Sequence, residues 1–334
     1  MSKILVIGAA WVGDAVLSQS LFSALRARDT AAEIHVLAPA WTHGVLQRMP
    51  EPGRVLHNPF GHGELSLGAR RKLGQQLGTA QYDQAIVLPN SFKSALVPWF
   101  ASIPQRTGYV GELRQLLLND SRILNRAALP LMVERFAALA QPPGGIPGQS
   151  FTPPRLIPDP DNQAKVMHQL GLTGELPVAV FCPGAEFGPA KRWPAHHFAD
   201  LARQLTAQGF QIWILGSGSD QPIGAAIAAS VQGPVHNLCG NTTLSDAVDL
   251  MAVAARVISN DSGLMHVAAA LNRPLVALFG SSSPEFTPPL SDNAHVLRLG
   301  LPCSPCFKRE CPLNHLNCLE HLTPEQVMAC WPPA

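Results

Sequence analysis

The stretch ISNDSGLMH at residues 258–266, which continues as VAAAL at 267–271, decides the fold of this chain. It predicts the end of a buried strand, a polar loop, and an alanine-rich helix whose first turn contains Gly263 and which stops at Asn272. The segment LVALFG at 275–280 has the near-continuous apolar character of a buried parallel strand. A strand, a crossover helix and a second parallel strand form a βαβ unit, so the sequence predicts an α/β fold.

The start of this helix predicts a binding site for a phosphate. Small residues at Ser262 and Gly263 leave backbone N–H groups open at the positive end of the helix. Asp261 repels a phosphate unless it faces a hydroxyl-rich group, so a phosphate beside a sugar satisfies both demands. A second interpretation, in which Asp261 or Ser262 only caps the helix, stays open.

The length and composition predict two ordinary globular domains. The chain has 334 residues, of which 46% are hydrophobic and 14% are charged. The apolar run that begins the chain is too short for a signal peptide, and no apolar segment has the length needed to span a bilayer. We therefore expect a cytosolic protein.

The charge is small but unevenly distributed. A net charge of +1 argues against a nucleic-acid-binding protein. Residues 1–150 hold 14 Lys/Arg and 9 Asp/Glu, while the remainder holds 10 and 14. The basic first half predicts an anionic partner for that half, and a chance imbalance on a solvated surface is the alternative.

The first strand, Lys3 to Ile7, leads into a loop that ends at Gly13 and Asp14. This loop lacks the G-x-G-x-x-G spacing, so we reject a dinucleotide-binding site. The loop is expected to present Asp14 at the carboxyl edge of a parallel sheet, where α/β proteins place their sites. A plain helix cap at Asp14 is the alternative.

Polar side chains follow later strands of the first half as well. Asn90 and Lys93 come after the strand Gln84 to Leu88, and Arg106 is expected just after a short strand. These side chains are candidates for holding an anionic substrate, although snorkelling surface residues have the same pattern. Other predicted elements are strands at Ile34–Leu37 and Arg54–Leu56 and a helix at Leu67–Leu77.

The segment from Gln141 to Pro160 carries seven prolines and three glycines and is the clearest break in the chain. We place a first domain at residues 1–150, a linker at 151–160 and a second domain at 161–322. Asp159 and Asp161 resemble a metal-binding D-x-D motif, but a helix cap at Asp161 fits better.

The second domain repeats the strand and helix alternation, which predicts two facing Rossmann-like, doubly wound domains with a cleft between them. Its predicted strands are Val178–Phe181 and Phe210–Leu215, and its predicted helices are Ala195–Gln208 and Leu244–Ala255. One wall of the cleft is expected to carry Asp14, Lys93 and Arg106. The other is expected to carry Lys191, Asp261 and the helix start at Ser262–Gly263.

These parts predict sugar transfer from a nucleotide diphosphate. A basic side chain and a helix N-terminus stabilise a diphosphate leaving group, and an aspartate opposite deprotonates an attacking hydroxyl. In-line attack inverts the anomeric carbon. No divalent metal is required if Lys191 and the backbone donors carry the phosphate charge.

The chain resembles the ADP-heptose:lipopolysaccharide heptosyltransferases, a bacterial inverting glycosyltransferase family with the two-domain GT-B fold. The resemblance rests on Gly13-Asp14, KRWP at 191–194, NDSGLMH at 260–266, Arg273-Pro274 and Phe279-Gly280. The segments at 89–98, 106–108 and 303–318 most resemble the family members that add the second inner-core heptose.

The resemblance implies a role for each site residue. Asp14 is the general base, Lys191 pairs with the diphosphate, and Asp261 hydrogen-bonds heptose hydroxyls. The N–H groups of Ser262, Gly263 and Leu264 face the diphosphate, His266 contacts phosphate or braces the loop, and Thr242 and Leu244 flank the adenosine.

The resemblance also implies the partners. The donor is ADP-heptose, no cofactor is needed, and the acceptor is an anionic heptosyl-Kdo2-lipid A met at the cytoplasmic face of the inner membrane. Asn90, Lys93 and Arg106 are the candidates for holding that acceptor, and a last helix at 323–334 is expected to pack back on the first domain. Another GT-B core-sugar transferase and a non-catalytic nucleotide-sugar-binding protein are the rival interpretations.

Four of the seven cysteines cluster with the spacing C-x2-C-x4-C-x6-C, at Cys303, Cys306, Cys311 and Cys318. The unequal gaps fit no standard zinc motif. A structural zinc site, reduced buried thiols and a disulfide are therefore all open, and the family chemistry needs no metal or catalytic cysteine.

Overall fold

The computed structural model describes residues 2–61, 63–142 and 151–331. The chain divides into two compact units, Met1–Pro154 and Arg155–Ala334. Much of the predicted proline- and glycine-rich linker, at residues 143–150, lies outside the described residues.

The first unit is a six-stranded, all-parallel sheet in the order β3-β2-β1-β4-β5-β6. Its central strands are buried and apolar, as parallel strands covered on both faces are. The strands are β1 (Lys3–Ile7), β2 (Glu33–Ala38), β3 (Arg54–His57), β4 (Gln84–Val87), β5 (Gln105–Tyr109) and β6 (Asp120–Arg122). The helices are α1 (Val12–Leu17), α2 (Gln19–Arg28), α3 (His43–Leu46), α4 (Leu67–Gly78), α5 (Leu96–Phe100) and α6 (Met132–Ala138).

The second unit repeats this architecture in the order β12-β11-β10-β7-β8-β9, again all parallel. Its strands are β7 (Val178–Cys182), β8 (Gln211–Ile214), β9 (Val235–Asn237), β10 (Ala254–Asn260), β11 (Leu275–Leu278) and β12 (Ala294–Leu297). Its helices are α7 (Pro160–Gln169), α8 (Ala195–Ala207), α9 (Gln221–Ala229), α10 (Leu244–Met251), α11 (Gly263–Ala270), α12 (Asn317–Glu320) and α13 (Pro324–Met328).

The βαβ unit predicted from residues 258–280 is confirmed. α11 connects β10 to β11, and the two strands pair in parallel with Asn260 opposite Leu278. The helix ends where Asn272 takes a left-handed conformation, with φ of +53°, in the position that favours glycine or asparagine.

Each sheet has one switch point where the strand order reverses. In the first sheet it lies between β1 and β4, and in the second between β7 and β10. Open parallel sheets bind ligands beyond the carboxyl ends of the strands that flank this point. The loops after these four strands are therefore where the functional side chains belong.

The N-cap of α7, at the start of the second unit, differs from the expectation. The cap of α7 is Asp159, whose carboxylate accepts N–H bonds from Asp161 and Asn162, each at 3.1 Å, with Pro160 as the first helical residue. The prediction of Asp161 as cap was wrong, because proline fits the first helical position and moves the helix start upstream.

The last helix, α13, packs against α8 within the second unit through the buried Val327. Its predicted contact with the first half of the chain stays a prediction. Each helix in the described part of the chain is too short or too polar to span a membrane.

Candidate active-site residues at the switch points

Lys191 and Asp261 form an ion pair at the switch point of the second sheet. Lys191 ends a short 3₁₀ turn in the loop after β7, and Asp261 directly follows β10. The ammonium of Lys191 donates to Oδ2 of Asp261, and the hydroxyl of Ser282 donates to the same oxygen. Only 4% of Asp261 is exposed. The pair brings together two side chains that the sequence predicted for one site.

Asn260 joins the loop after β7 to the end of β10. This fully buried side chain accepts the backbone N–H of Trp193 at 3.0 Å and donates to the carbonyl of Pro183 at 2.7 Å. A buried amide with both ends bonded fixes the spacing of the two loops. This role of Asn260 was not predicted from the sequence, although the residue lies within the motif at 260–266.

The start of α11 keeps the features of an anion site. Ser262 is its N-cap and makes no side-chain capping bond, while the Asp261 carboxylate is occupied by Lys191 and Ser282. Side-chain capping therefore does not explain these two residues. Gly263 and Leu264 follow in the first turn, half-buried, at the positive end of an eight-residue helix.

His266 lies in α11 and is 6% exposed. Burial lowers the pKa of its imidazole to about 4, with the charge of Asp261 raising it and that of Lys191 lowering it. The ring is therefore neutral at pH 7 and cannot act as a cation toward a phosphate. Of the two roles open to His266, this favours bracing the loop.

A second cation lies near Lys191. Nζ of Lys191 is 5.1 Å from the ring centroid of Phe187, and the guanidinium carbon of Arg309 is 5.3 Å from the same centroid. The backbone N–H of Ala190 also donates to the carbonyl of Arg309 at 3.0 Å. Phe187 and Arg309 were not predicted from the sequence, because Arg309 belongs to the cysteine-rich segment far along the chain.

Thr242 and Leu244, the candidates for the adenosine, flank the N-cap of α10. That cap is Thr243, in a capping box with Asp246. Both candidates are half-buried and follow β9, at the far edge of the sheet from β12. Their contact with adenosine stays a prediction.

Asp14 lies at the switch point of the first sheet, in the first turn of α1, the helix that follows β1. The N-cap of α1 is Trp11, so Asp14 is inside the helix and is not a plain cap. Trp11 and Trp41 are 45% and 55% exposed, and Trp41 Nε1 donates to the carbonyl of Ala10 at 2.7 Å. Trp11 lies in the segment before Asp14 and Trp41 packs against it, and such exposed rings suit the apolar faces of sugars. They were not predicted from the sequence, because single tryptophans form no spacing pattern.

The loop after β4 is held by a buried arginine. The fully buried Arg114 donates to Oδ1 of Asn90 at 3.0 Å and to the carbonyl of Pro89. Burial lowers the pKa of Arg114 to about 10, so it stays protonated at pH 7. Asn90 is exposed and Lys93 half-buried, both at the edge where the sequence predicted them.

Arg106 is placed differently from the expectation. It is the second residue of β5, near the amino end of the strand, and its guanidinium donates to the backbone carbonyls of Leu117 and Ile103. The predicted placement after a strand was wrong, because the strand does not end before Arg106 but begins at Gln105 and runs through Arg106 to Tyr109. Through these bonds Arg106 holds the backbone segments on either side of β5, which is a structural role.

The four clustered cysteines line one cavity, together with Ala190 and Ser281. All are free thiols. Burial raises the pKa of Cys318, and the nearness of Cys311, Cys303 and Cys306 raises it further. Backbone N–H groups, that of Leu316 foremost, lower the pKa of Cys311. The structure thus unites thiols that the sequence left as a loose cluster.

Comparisons with known proteins agree on one family. Residues 70–317 match the model of glycosyltransferase family 9 (heptosyltransferase). The chain is 50% identical to lipopolysaccharide heptosyltransferase 2 of Escherichia coli (strain K12), over 98% of this chain and 96% of that protein. It is 48% identical to lipooligosaccharide heptosyltransferase 2 of Haemophilus influenzae, over 89% and 88% of the two chains.

The solved structure of E. coli ADP-heptose LPS heptosyltransferase II matches this chain with a TM-score of 0.89 and 47% identity. The match covers 98% of this chain and 97% of that structure. It confirms the predicted GT-B fold of the chain.

Proposed function

The chain belongs to glycosyltransferase family 9, the heptosyltransferase family, and we propose that it is a lipopolysaccharide heptosyltransferase of the second type. It transfers L-glycero-D-manno-heptose from ADP-heptose to the first heptose of the inner core. The observation that carries this proposal is the 50% identity to E. coli heptosyltransferase 2, which extends across both units. A similarity confined to one unit would leave the acceptor or the donor undetermined.

The proposed donor site lies in the second unit. Lys191, Arg309 and the start of α11 supply the positive charge that a diphosphate needs. Asp261, held by Ser282, accepts hydrogen bonds from the hydroxyls of the heptose. His266 braces this loop as a neutral ring.

We propose Asp14 as the general base of an inverting transfer. The acceptor hydroxyl oxygen attacks the anomeric carbon as the bond from that carbon to the diphosphate oxygen breaks. The proton passes to the Asp14 carboxylate, and ADP leaves with the bonding electrons. Lys191 and the α11 N–H groups stabilise the charge on the leaving diphosphate, so the transfer step requires no metal ion.

The proposed acceptor site lies in the first unit. Asn90 and Lys93 at the end of β4, and the basic charge of residues 1–150, suit an anionic heptosyl-Kdo2-lipid A. Exposed Trp11 and Trp41 offer flat apolar surfaces to sugar rings. Such an acceptor places the enzyme in peripheral contact with the cytoplasmic face of the inner membrane.

The test measures ADP release from ADP-heptose with and without heptosyl-Kdo2-lipid A, in wild type and Asp14→Asn. We expect acceptor-dependent release in wild type and a loss of at least about 100-fold in the variant, the usual size of a lost acid–base contribution. ADP affinity should stay within about twofold. Asp161→Asn, an exposed aspartate of the second unit, is the matched control.

Each alternative outcome has a meaning. Donor binding without release on this acceptor indicates another core-sugar acceptor or a non-catalytic binding protein. Full activity in Asp14→Asn removes Asp14 from the proton transfer. Absence of ADP binding in wild type contradicts the proposed donor.

A further inference from the structure

The segment from residue 300 to 318 lacks a core of its own. It contains no strand and, before Asn317, no α-helix, and all of its residues are described by the structure. Leu316 and Cys318, both half-buried at its end, pack against the core of the second unit, and none of its other residues is buried. A long irregular segment with so little apolar burial is usually held by something else as well, such as a disulfide or a metal ion. Cys303, Cys306, Cys311 and Cys318 are the side chains in this segment that can provide such a link.

The fold turns all four thiols toward one cavity. Their sequence gaps are unequal, yet each contributes to the lining, and none is bonded to another cysteine. The other lining residues include the apolar Leu313 and Leu316. The imidazole of His315 lines the cavity as well. The site therefore offers four sulfur ligands, the composition of a structural metal site. The sulfur atoms are not as close to one another as bound ligands are, so an ion would draw them together.

The backbone next to these cysteines is held in uncommon conformations. Phe307, directly after Cys306, has a φ of +55°, and Asn314 and Leu316, which follow Cys311, have φ values of +56° and +49°. Such conformations are unfavourable for residues other than glycine and persist only where the surroundings hold them. They turn the chain tightly after Cys311, where the N–H of Asn314 donates to the carbonyl of Cys311 at 3.1 Å.

We propose that Cys303, Cys306, Cys311 and Cys318 bind one divalent transition-metal ion, zinc or ferrous iron, as a closed tetrahedral four-thiolate site. Thiolate sulfur selects these ions over magnesium or calcium, which prefer oxygen. Four thiols lose four protons as one ion binds, which leaves a site of net charge −2. The neighbouring cations Lys308 and Arg309 offset that charge.

The metal-bound segment braces both partners of the Lys191–Asp261 pair. On one side, the hydroxyl of Ser304 donates to the carbonyl of Gly280 at 2.6 Å. The backbone N–H of Phe307 donates to the carbonyl of Ser281 at 2.7 Å. The next residue, Ser282, holds Asp261.

On the other side, the carbonyl of Arg309 accepts the N–H of Ala190, the neighbour of Lys191, at 3.0 Å. The metal ion thus positions the donor site from outside it and takes no part in the transfer step.

The first experiment measures the metal content of untagged protein, purified with a thiol reductant and without chelators or metal resins. Plasma mass spectrometry is expected to find about one metal ion per chain. The element found, zinc or iron, tells which of the two ions the site binds. A mercurial thiol reagent should release the ion to a chromogenic chelator. Protein refolded with cobalt should show the visible bands of tetrahedral cobalt and intense thiolate-to-cobalt absorption.

Cys311→Ser and Cys318→Ser should lose the metal, while Cys330→Ser, a half-buried cysteine outside the cluster, should retain it. Cys303→His, which keeps a ligand of the zinc class, should retain at least part of the metal. In the serine variants, ADP affinity should fall at least tenfold, and Cys303→His should restore it more than Cys303→Ser does.

Metal-free wild type with four freely alkylated thiols, or a disulfide within the cluster found by mass spectrometry, overturns the proposal. Metal retained by both serine variants also overturns it. These measurements use no sugar substrate, so their failure is distinct from a failure of the proposed transferase activity.

Discussion

Lys191 and Asp261 prepare one site for two different parts of a donor. A cation alone would bind the diphosphate without orienting the sugar, and a carboxylate alone would repel the diphosphate. Paired through one carboxylate oxygen that Ser282 also holds, the two charges satisfy each other while nothing else is bound. A buried pair of this kind is costly to break from one side, because the remaining charge stays desolvated.

Lys191→Ala should weaken ADP binding by about 10- to 100-fold, the value of a charged hydrogen bond of 1.5–3 kcal/mol. Titration calorimetry with ADP and the kcat/KM for ADP-heptose measure the effect. Lys165→Ala, an exposed lysine of the same unit, is the control and should leave both unchanged. Unchanged ADP affinity in Lys191→Ala would remove this lysine from the diphosphate site.

His266 predicts a loss of stability in mild acid. Its folded-state pKa of about 4 lies below the ordinary value of 6.5, so the unfolded chain takes up a proton first as the pH falls through 6.5. The contribution of neutral His266 to the free energy of unfolding is therefore fully present above about pH 6.5 and declines as the pH falls toward 4. Between pH 7 and about pH 5 the loss from His266 is about 2 kcal/mol.

Urea unfolding of wild type and His266→Gln across this range measures that contribution. The glutamine variant keeps a neutral polar side chain, so its stability should decline less steeply with acid than that of wild type. Parallel curves for the two proteins would show that His266 is not held neutral by burial.

At the scale of elements, the loop after β7 depends on close approach to its neighbours. A Cβ atom on Gly184 would lie 2.4 Å from the Asp220 carboxylate, and one on Gly188 would lie 2.5 Å from the carbonyl oxygen of Arg309. Both distances are shorter than real contacts permit. The loop that carries Lys191 is thus fitted against the cysteine-rich segment with no room for a side chain.

Gly188→Ala should lower the free energy of unfolding by about 1–3 kcal/mol, the usual cost of overpacking. Because the loop shifts, kcat/KM for ADP-heptose should also fall. Gly174→Ala is the matched control, since nothing lies within 4 Å of its added Cβ. Equal stability and activity of the two alanine variants would contradict the tight fit.

At the scale of the whole molecule, charge is divided between the halves of the chain. Residues 1–150 carry five more basic than acidic residues, while the rest carry four more acidic than basic. A basic unit attracts an anionic acceptor over roughly 10 Å at 0.1 M salt, and over about 3 Å at 1 M. Acceptor recognition should therefore be more sensitive to salt than the chemistry itself.

The acceptor KM should rise when salt increases from about 0.05 to 0.5 M, with little change in kcat, because exposed charges are screened. Lys93→Gln should show a shallower dependence than wild type. Lys165→Gln, in the second unit, should keep the wild-type slope. A salt-independent acceptor KM would contradict electrostatic capture by the first unit.

The sequence alone determined the alternation of strands and helices, the parallel sheets and the motifs at the strand ends. Strands covered on both faces are apolar throughout, and helices begin and end at recognisable residues, so these features are local. Asp14, Lys191 and Asp261 were found because each lies shortly after such a strand, in the first turn of the next helix, in the loop or directly at the strand end.

Only the tertiary structure decided which distant side chains meet. Asn260 bonds to Pro183 and Trp193, and Asp261 bonds to Ser282, because β7 lies beside β10 and β10 beside β11. Strand order is a property of the whole sheet, so local patterns do not specify these partners. For the same reason, the sequence did not show that the guanidinium of Arg106 donates to backbone carbonyls. Nor did it show that the four cysteines, which are unequally spaced in the sequence, line one cavity in the fold.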